Sequence, residues 1–331
     1  MNTSVSRLFA IAVAAGIGMS AAPAFAAKVK ITYATYLEPA HLSVFWPIMN
    51  GKIKSDTVEV EVKNLSIAAT AQAMATKQYD IFEIGALSIE AAEKQGLELQ
   101  MVGTGLRYSP DTRGFGVWVK ADSKYQTMAD LKGKKIGSYS FQSTVFALQR
   151  IAIKEKYKVN IALNGGDFNF VQLPAPALPA ALITGNVDAA TLSHLQSYDA
   201  MNSKDFRLIV DSGKDFMEVY GVPMVTSIQV AFPERLNKDP ESYHEALRML
   251  AASATYARTH QDEVFTAVAA ETKVPVDFFK EWHAHYGNVP IAISNDDVKA
   301  MDILYKKAKV EGLSEKMPEF SKVIWNKSVR E

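Results

Sequence analysis

The chain contains no cysteine, which removes disulfides, thiolate metal sites and every cysteine-based mechanism at once. It has no excess charge of either sign. Lys plus Arg (36) balance Asp plus Glu (36), so no global field recruits nucleic acid or anionic lipid. No P-loop and no G-x-S-x-G nucleophile turn occurs, and Gly103-Thr104-Gly105 lacks the third glycine and the following helix of a dinucleotide turn. His283 and His285 form an H-x-H pair, but on a helix two residues apart the imidazoles diverge by about 200°, the wrong geometry for one metal. His260-x-Asp262-Glu263 reads as a helix start with surface charge. Neither a metal nor a cofactor is expected. Beyond the N-terminus no apolar run approaches the ~20 residues of a membrane span, and no low-complexity block interrupts the chain.

What is present is ordinary globular composition: 331 residues, 48% hydrophobic and 22% charged, enough for about two domains with separate cores. The N-terminus carries a local signal. Arg7 precedes an apolar run from Leu8 to Met19, and small residues follow to Ala24-Phe25-Ala26, an A-x-A cleavage pattern. The expectation is a signal peptide over 1–26 and an exported chain, with no lipobox cysteine to tether it.

Strand-like and helix-like segments alternate thereafter, predicting an α/β architecture. Val58-Glu59-Val60-Glu61-Val62 is a strict period-2 strand, and long helical patterns cover Pro240 to Thr259, Gln261 to Thr272 and Asn295 to Val310. Two stretches in different halves match in residue class: Ala73 to Asp80, and Ala181 to Asp188. In each, a helix ends in a polar pair and an aspartate precedes a short apolar strand. Gly185-Asn186 suits a left-handed helix cap, and Lys77-Gln78 fills the same place less ideally. The matched strands end at Gly85-Ala86 and Ser193-His194. This pattern predicts two α/β lobes facing one cleft with their strand C-termini, where open α/β sheets bind ligands. The expected boundaries are 27–113 with 222–331 for the first lobe and 114–221 for the second, with two hinge crossings near 112–118 and 216–226.

The order of leader, first strand, Met74 to Gly85, Asp130-Leu131-Lys132-Gly133-Lys134-Lys135-Ile136-Gly137 and Leu182 to Asp188 resembles the nitrate/sulfonate/taurine solute-binding proteins of ABC transporters. The likeness runs over nearly all of residues 28–325. The D-L-K-G-K-x-hydrophobic-G element is widespread in that group and its relatives, so it marks the superfamily better than the ligand. The resemblance implies a type II periplasmic-binding-protein fold, a monomer in the periplasm, cleft closure on a small ligand, and delivery to an ABC permease. It implies a binder and not an enzyme.

For the ligand, the sharpest candidate is the turn Tyr139 to Thr144, between a strand and a helix. Unpaired N–H groups at a helix start carry about half a positive charge, and Ser140, Gln142, Ser143 and Thr144 add polar groups, so an oxyanion fits there. Capping of the helix by Ser143 explains the same residues without a ligand. Facing candidates are Tyr36 and His41 after the first strand, Ser66 and Thr70 at the next helix start, and Gly85, Ala86 and His194 at the matched strand ends, with Tyr220 near the return crossing. Glu83 reads either as a structural carboxylate or as the partner of a cation on a zwitterionic ligand. Arg107 and Arg113 read as solvated, and Trp46 as core. The ligand class is therefore a small anionic or zwitterionic molecule such as a sulfonate, a taurine-like solute or a carboxylate. Two rival readings stay open: the periplasmic ligand-binding partner of a sensor kinase, and a pyrimidine-precursor or menaquinone-pathway enzyme on the same fold.

Overall fold

The structure, a computed structural model, describes residues 27–110, 113–316, 318 and 320–331; the signal-peptide segment 1–26 lies outside them. The strands are β1 (Val29–Tyr36), β2 (Val58–Leu65), β3 (Ile81–Gly85), β4 (Gln100–Thr104), β5 (Arg107–Tyr108), β6 (Phe115–Lys120), β7 (Lys135–Ser138), β8 (Asn169–Gln172), β9 (Ala189–Ser193), β10 (Phe206–Asp211), β11 (Met224–Val225), β12 (Ser227–Ala231) and β13 (Gly287–Asn288). The helices are α1 (Pro39–Met49), α2 (Ile67–Ala75), α3 (Ser88–Lys94), α4 (Thr144–Tyr157), α5 (Leu178–Ile183), α6 (Leu195–Asn202), α7 (Ser212–Tyr220), α8 (Pro233–Lys238), α9 (Pro240–Thr259), α10 (Gln261–Thr272), α11 (Val276–Glu281) and α12 (Asn295–Val310).

Two five-stranded sheets carry the molecule. The first runs β2-β1-β3-β12-β4 and the second β8-β7-β9-β6-β10, so the same order recurs in both. In each, three strands from βα units lie parallel and one antiparallel strand is inserted: β12 in the first, β6 in the second. The first sheet takes strands from 29–104 and 227–231, the second only from 115–211. Where the chain passes between them, β5 pairs antiparallel with β11 and with β13, making a small third sheet.

The matched sequence stretches occupy equivalent places. Lys77 (φ 51°) and Gly185 (φ 76°) both turn left-handed after their helices, a cost glycine avoids and lysine does not. The amide of Asp80 then donates to Thr32 O at 3.0 Å, and that of Asp188 donates to Lys135 O at 2.9 Å. The carboxylates close the same loop, Asp80 accepting from Thr32 N and Asp188 from Lys135 N. The D-L-K-G-K element also has a physical basis. Asp130 accepts from the amides of Gln126 and Thr127 in a capping box over a short 3-10 turn, and Gly133 (φ 74°) reverses the chain into β7.

Cores follow the sequence periodicities. Period-2 strands and the apolar stripes of α1, α9, α10 and α12 surround the first sheet with buried Tyr33, Phe45, Phe82, Phe232, Phe265, Phe278 and Trp282. The second sheet buries Val117, Val119, Ile136 and Phe168 on one face and Trp118, Leu178, Leu182 and Leu192 on the other. Met224 to Phe232 reads as one strand in sequence but breaks at Thr226, because the chain changes sheets there. The sequence over Asp277 to His285 reads as one helix, but the α-helix ends at Glu281 and residues 282–286 widen into a π-helical turn.

Candidate functional site

The C-terminal strand ends of the two sheets face one another, and the loops beyond them meet. From the first sheet come the β1–α1 loop with Tyr36 and Glu38, His41 in the first turn of α1, and the segment Gly85-Ala86-Leu87 after β3. From the second come the β7–α4 turn and His194, between β9 and α6. The meeting is direct. The Leu87 amide donates to Thr144 Oγ1 at 3.1 Å, and a Cβ added at Gly85 would stand 2.9 Å from the same oxygen.

Glu83 anchors the first-sheet side. It is fully buried, yet its carboxylate accepts from Thr35 Oγ1 at 2.6 Å and Ser227 Oγ at 2.6 Å, and it faces His41 Nε2 at 3.1 Å. The register explains the cluster: β1 and β12 flank β3, and Gln229 lies opposite Glu83 on β12. Burial opposes both charges, but the pair overcomes it. His41 is held above the usual imidazole value by the Glu83 charge and hydrogen bond, and Glu83 below the usual carboxylate range by His41, Ser227 and Thr35. Sequence reasoning offered Glu83 as a structural carboxylate or a partner for a ligand's cation; here its oxygens are engaged by the protein.

His194 anchors the opposite side. Its backbone sits at φ 48°, ψ −119°, a conformation few non-glycine residues adopt. The indole N–H of Trp282 donates to Nδ1 at 3.0 Å, so Nδ1 carries no proton and Nε2 bears it toward the Tyr108 hydroxyl at 3.3 Å. The ring stacks on Tyr108 with centroids 5.8 Å apart. Burial pushes its pKa down to about 3, with His41 adding to the effect, so the imidazole is neutral. His41 and Glu83 both act on it electrostatically, in opposite directions. Tyr36 and Tyr139 interact electrostatically in the same region. Burial raises both hydroxyls, Tyr139 to about 12, and the Gly85 backbone reaches Tyr36.

The structure therefore brings together Tyr36, His41, Gly85, Thr144 and His194. Ala86 lies on the same rim with its carbonyl taken by Tyr305 Oη at 2.6 Å. Ser143 caps α4, accepting from Phe146 N at 3.3 Å while donating to Ser140 O at 3.1 Å, so the helix start uses both residues. Gln142 is exposed on that turn. Ser66 caps α2 through Ala69 N, and the buried Thr70 donates back to Ser66 O at 3.0 Å, so both serve their own helix start. Tyr220 stands apart from the cluster, its ring 5.8 Å from Lys307 Nζ on α12. Arg107, expected in solvent, instead lies against the buried Asp297 through Nε at 2.8 Å and also reaches Glu331. Arg113 is exposed, and Trp46 packs partly buried against the core. His283 bonds Ser43 Oγ at 2.8 Å while His285 is exposed, and among the described residues no metal-binding cluster occurs.

Three participants escaped the sequence: Tyr108, Trp282 and Ser227. Trp282 stood beside the H-x-H pair, but nothing local signals that its indole reaches a histidine 88 residues away.

More contacts tie the two sheets' surroundings together. Tyr198 of α6 meets Phe278 of α11 edge to face at 5.6 Å, and Lys154 and Glu155 of α4 pair with Glu311 and Lys307 at the end of α12. Strand ends and helix starts of the two sheets thus meet in direct contact.

Comparison with known proteins supports this architecture. No curated protein matches the chain. Among solved structures, the periplasmic aliphatic sulphonate-binding protein SsuA from Escherichia coli is similar with a TM-score of 0.71 at 15% identity, covering 92% of this chain and 94% of that one. The alkanesulfonate-binding protein SsuA from Xanthomonas axonopodis pv. citri, solved with MOPS bound, gives 0.66 at 16% identity, with 91% and 99% covered. A protein from Archaeoglobus fulgidus gives 0.68 at 18% identity, with 86% and 98% covered. These likenesses show the periplasmic-binding-protein fold. The family model described as "ABC transporter, phosphonate, periplasmic substrate-binding protein" matches residues 48–261, well over half of the chain, and the protein belongs to that family of ABC-transporter substrate-binding proteins.

Proposed function

We propose that the protein is the periplasmic solute-binding component of an ABC importer and captures a small organic anion, of phosphonate, sulfonate or carboxylate type, by closure of the two sheet-bearing lobes, 27–113 with 222–331 and 114–221. The observation that carries this reading is the meeting of Gly85–Leu87 with the N-terminus of α4 at Thr144. A helix start offers unpaired N–H groups and partial positive charge to an oxyanion. Tyr139 adds a hydroxyl on the same side, and the opposite wall supplies the hydroxyl of Tyr36 and the imidazole of His41. Family membership supports an ABC permease as partner, and the sulfonate-binding structural neighbours support the ligand class.

In the mechanism that follows, the open protein exposes both walls, and a ligand contacting both shifts the population to the closed form. The small β11-β5-β13 sheet at the crossings is where backbone rotation would be absorbed.

A thermal-shift screen of the protein, refolded to remove co-purified solute, tests the reading. The panel is alkylphosphonates, alkanesulfonates, taurine, carboxylates and neutral heterocycles. A saturable rise in Tm confined to one oxyanion class is expected. Stabilisation by neutral heterocycles alone would refute the anion assignment.

A further inference from the structure

The imidazole of His41 is 1% exposed, and only one of its nitrogens is engaged. Nε2 faces Glu83 Oε1 at 3.1 Å, while Nδ1, on the other edge of the ring, is buried without a hydrogen-bond partner. Buried polar atoms are nearly always satisfied, so an orphan in a ligand-binding cleft points to the ligand as the missing partner.

The surroundings define what that partner must be. Behind the ring, Glu83 is fixed by Thr35 and Ser227, and Tyr33 shares the same carboxylate. Tyr36 lies edge-on to the ring at 5.7 Å, and Glu38 precedes α1. From the second-sheet side comes His194, whose nitrogens are taken up by Trp282 and Tyr108. On the far side of α1, His283 bonds Ser43, with Arg258 in its field. Both Glu83 and Glu38 favour the charged form of the His41 ring. Because the carboxylate keeps Nε2 as an N–H, the protonation state of the ring decides the role of Nδ1 alone. In the imidazolium Nδ1 is a charged donor, and in the neutral ring it is an acceptor.

We propose that Nδ1–H of His41 donates to an anionic oxygen of the bound solute, with Glu83 behind the ring fixing the nitrogen that faces the ligand. This rests on the oxyanion reading above and deepens it. The site then selects ligands that accept, and it loses them when the ring deprotonates. Burial lowers the imidazole's basicity, but the adjacent carboxylate more than offsets this, so the ring is charged to a higher pH than a free histidine.

The test is calorimetric titration of the full chain with methanesulfonate and methylphosphonate from about pH 5.5 to about 9, spanning the range in which imidazoles titrate. Methanesulfonate keeps one negative charge throughout, so its pH dependence reports the protein. Its affinity should fall by about tenfold or more as pH rises through the His41 titration, the scale set by losing a charge-assisted hydrogen bond. His41→Gln should bind it weakly and without that pH dependence. NMR of the wild-type imidazole provides a readout that needs no variant: saturating methanesulfonate should shift the His41 titration to higher pH. If the probes bind with pH-independent affinity and the His41 titration does not move, the oxyanion reading stands and the role of His41 is overturned. If neither probe binds at any pH, the oxyanion reading falls and takes this inference with it.

Discussion

Replacement of Glu83 by leucine probes the most densely connected polar group in the first sheet. The substitution keeps the buried volume roughly constant and removes the acceptor for Thr35, Ser227 and His41 together. Breaking one partner of a buried pair costs about 3–5 kcal/mol. The hydrogen bonds give the same scale, because two stranded hydroxyls lose about 1–3 kcal/mol each. Against a total of about 5–15 kcal/mol, that is a large fraction of the stability. At about 2 °C per kcal/mol for a chain of this size, Tm should fall by about 6–10 °C. The pH dependence sharpens the test. The folded value of His41 lies above its ordinary 6.5, so its contribution is complete below 6.5 and is lost as pH rises through the folded value. Glu83 is depressed below 4.5, so its contribution is present above 4.5 and is lost as pH falls through the lowered value. The deficit of Glu83→Leu measured by urea unfolding should therefore be largest between 4.5 and 6.5 and shrink toward alkaline pH. The double variant His41→Leu/Glu83→Leu should be more stable than the sum of the singles predicts, since it strands no charge. A loss below about 1 kcal/mol in that window, or one that does not vary with pH, would refute the pairing.

Other outcomes follow from the same geometry. Gly85→Ala places a methyl 2.9 Å from Thr144 Oγ1, so it should hold the cleft open and weaken ligand binding with little change in Tm; small-angle scattering with ligand present checks it, and full compaction would count against it. Trp282→Phe removes the N–H that His194 accepts and should speed ligand release in stopped-flow measurements, where an unchanged off-rate would argue against a closing role. Burial lifts Asp211 to about 7 although Lys214 N donates to it, so its contribution declines as pH rises from 3.8 through 7. Asp211→Asn, which can still cap α7, should therefore gain Tm relative to wild type at alkaline pH and lose that gain in acid. Asp297→Asn should lower Tm, because Arg107 loses its buried counter-charge, and an unchanged Tm would show the pair to be idle.

Much of the fold was legible in the residues. Period-2 alternation set β2, and the Ser294 cap with Asp297 three residues on marks the start of α12 where the sequence pattern begins. The repeated helix–turn–aspartate–strand pattern pointed to equivalent strands in the two sheets. Short elements were harder. The seven residues of α3 carry no apolar stripe, and the break at Thr226 depends on where neighbouring strands end. In the candidate site, strand ends and helix starts are local events and could be read, which is why Gly85, Thr144 and His194 could be named from the sequence as lying where the two sheets' loops meet. Arg107 was misread because its partners lie 190 and 224 residues away. Ser66 and Thr70 illustrate the converse, since a helix start that satisfies itself carries the same residue types as one that holds an anion.

The antiparallel strand β12 sits between β3 and β4 but is supplied by residues 227–231, whereas every strand of the second sheet arrives between residues 115 and 211. The two sheets therefore differ in loop-closure entropy, because β3 must wait for a partner about 140 residues downstream. Chain emerging N-terminus first can complete the later-numbered sheet before the earlier one, reversing the order of synthesis. Until β12 docks, β3 and β4 expose unpaired apolar edges, which makes this the interval in which the nascent protein is most vulnerable to aggregation and most in need of a chaperone.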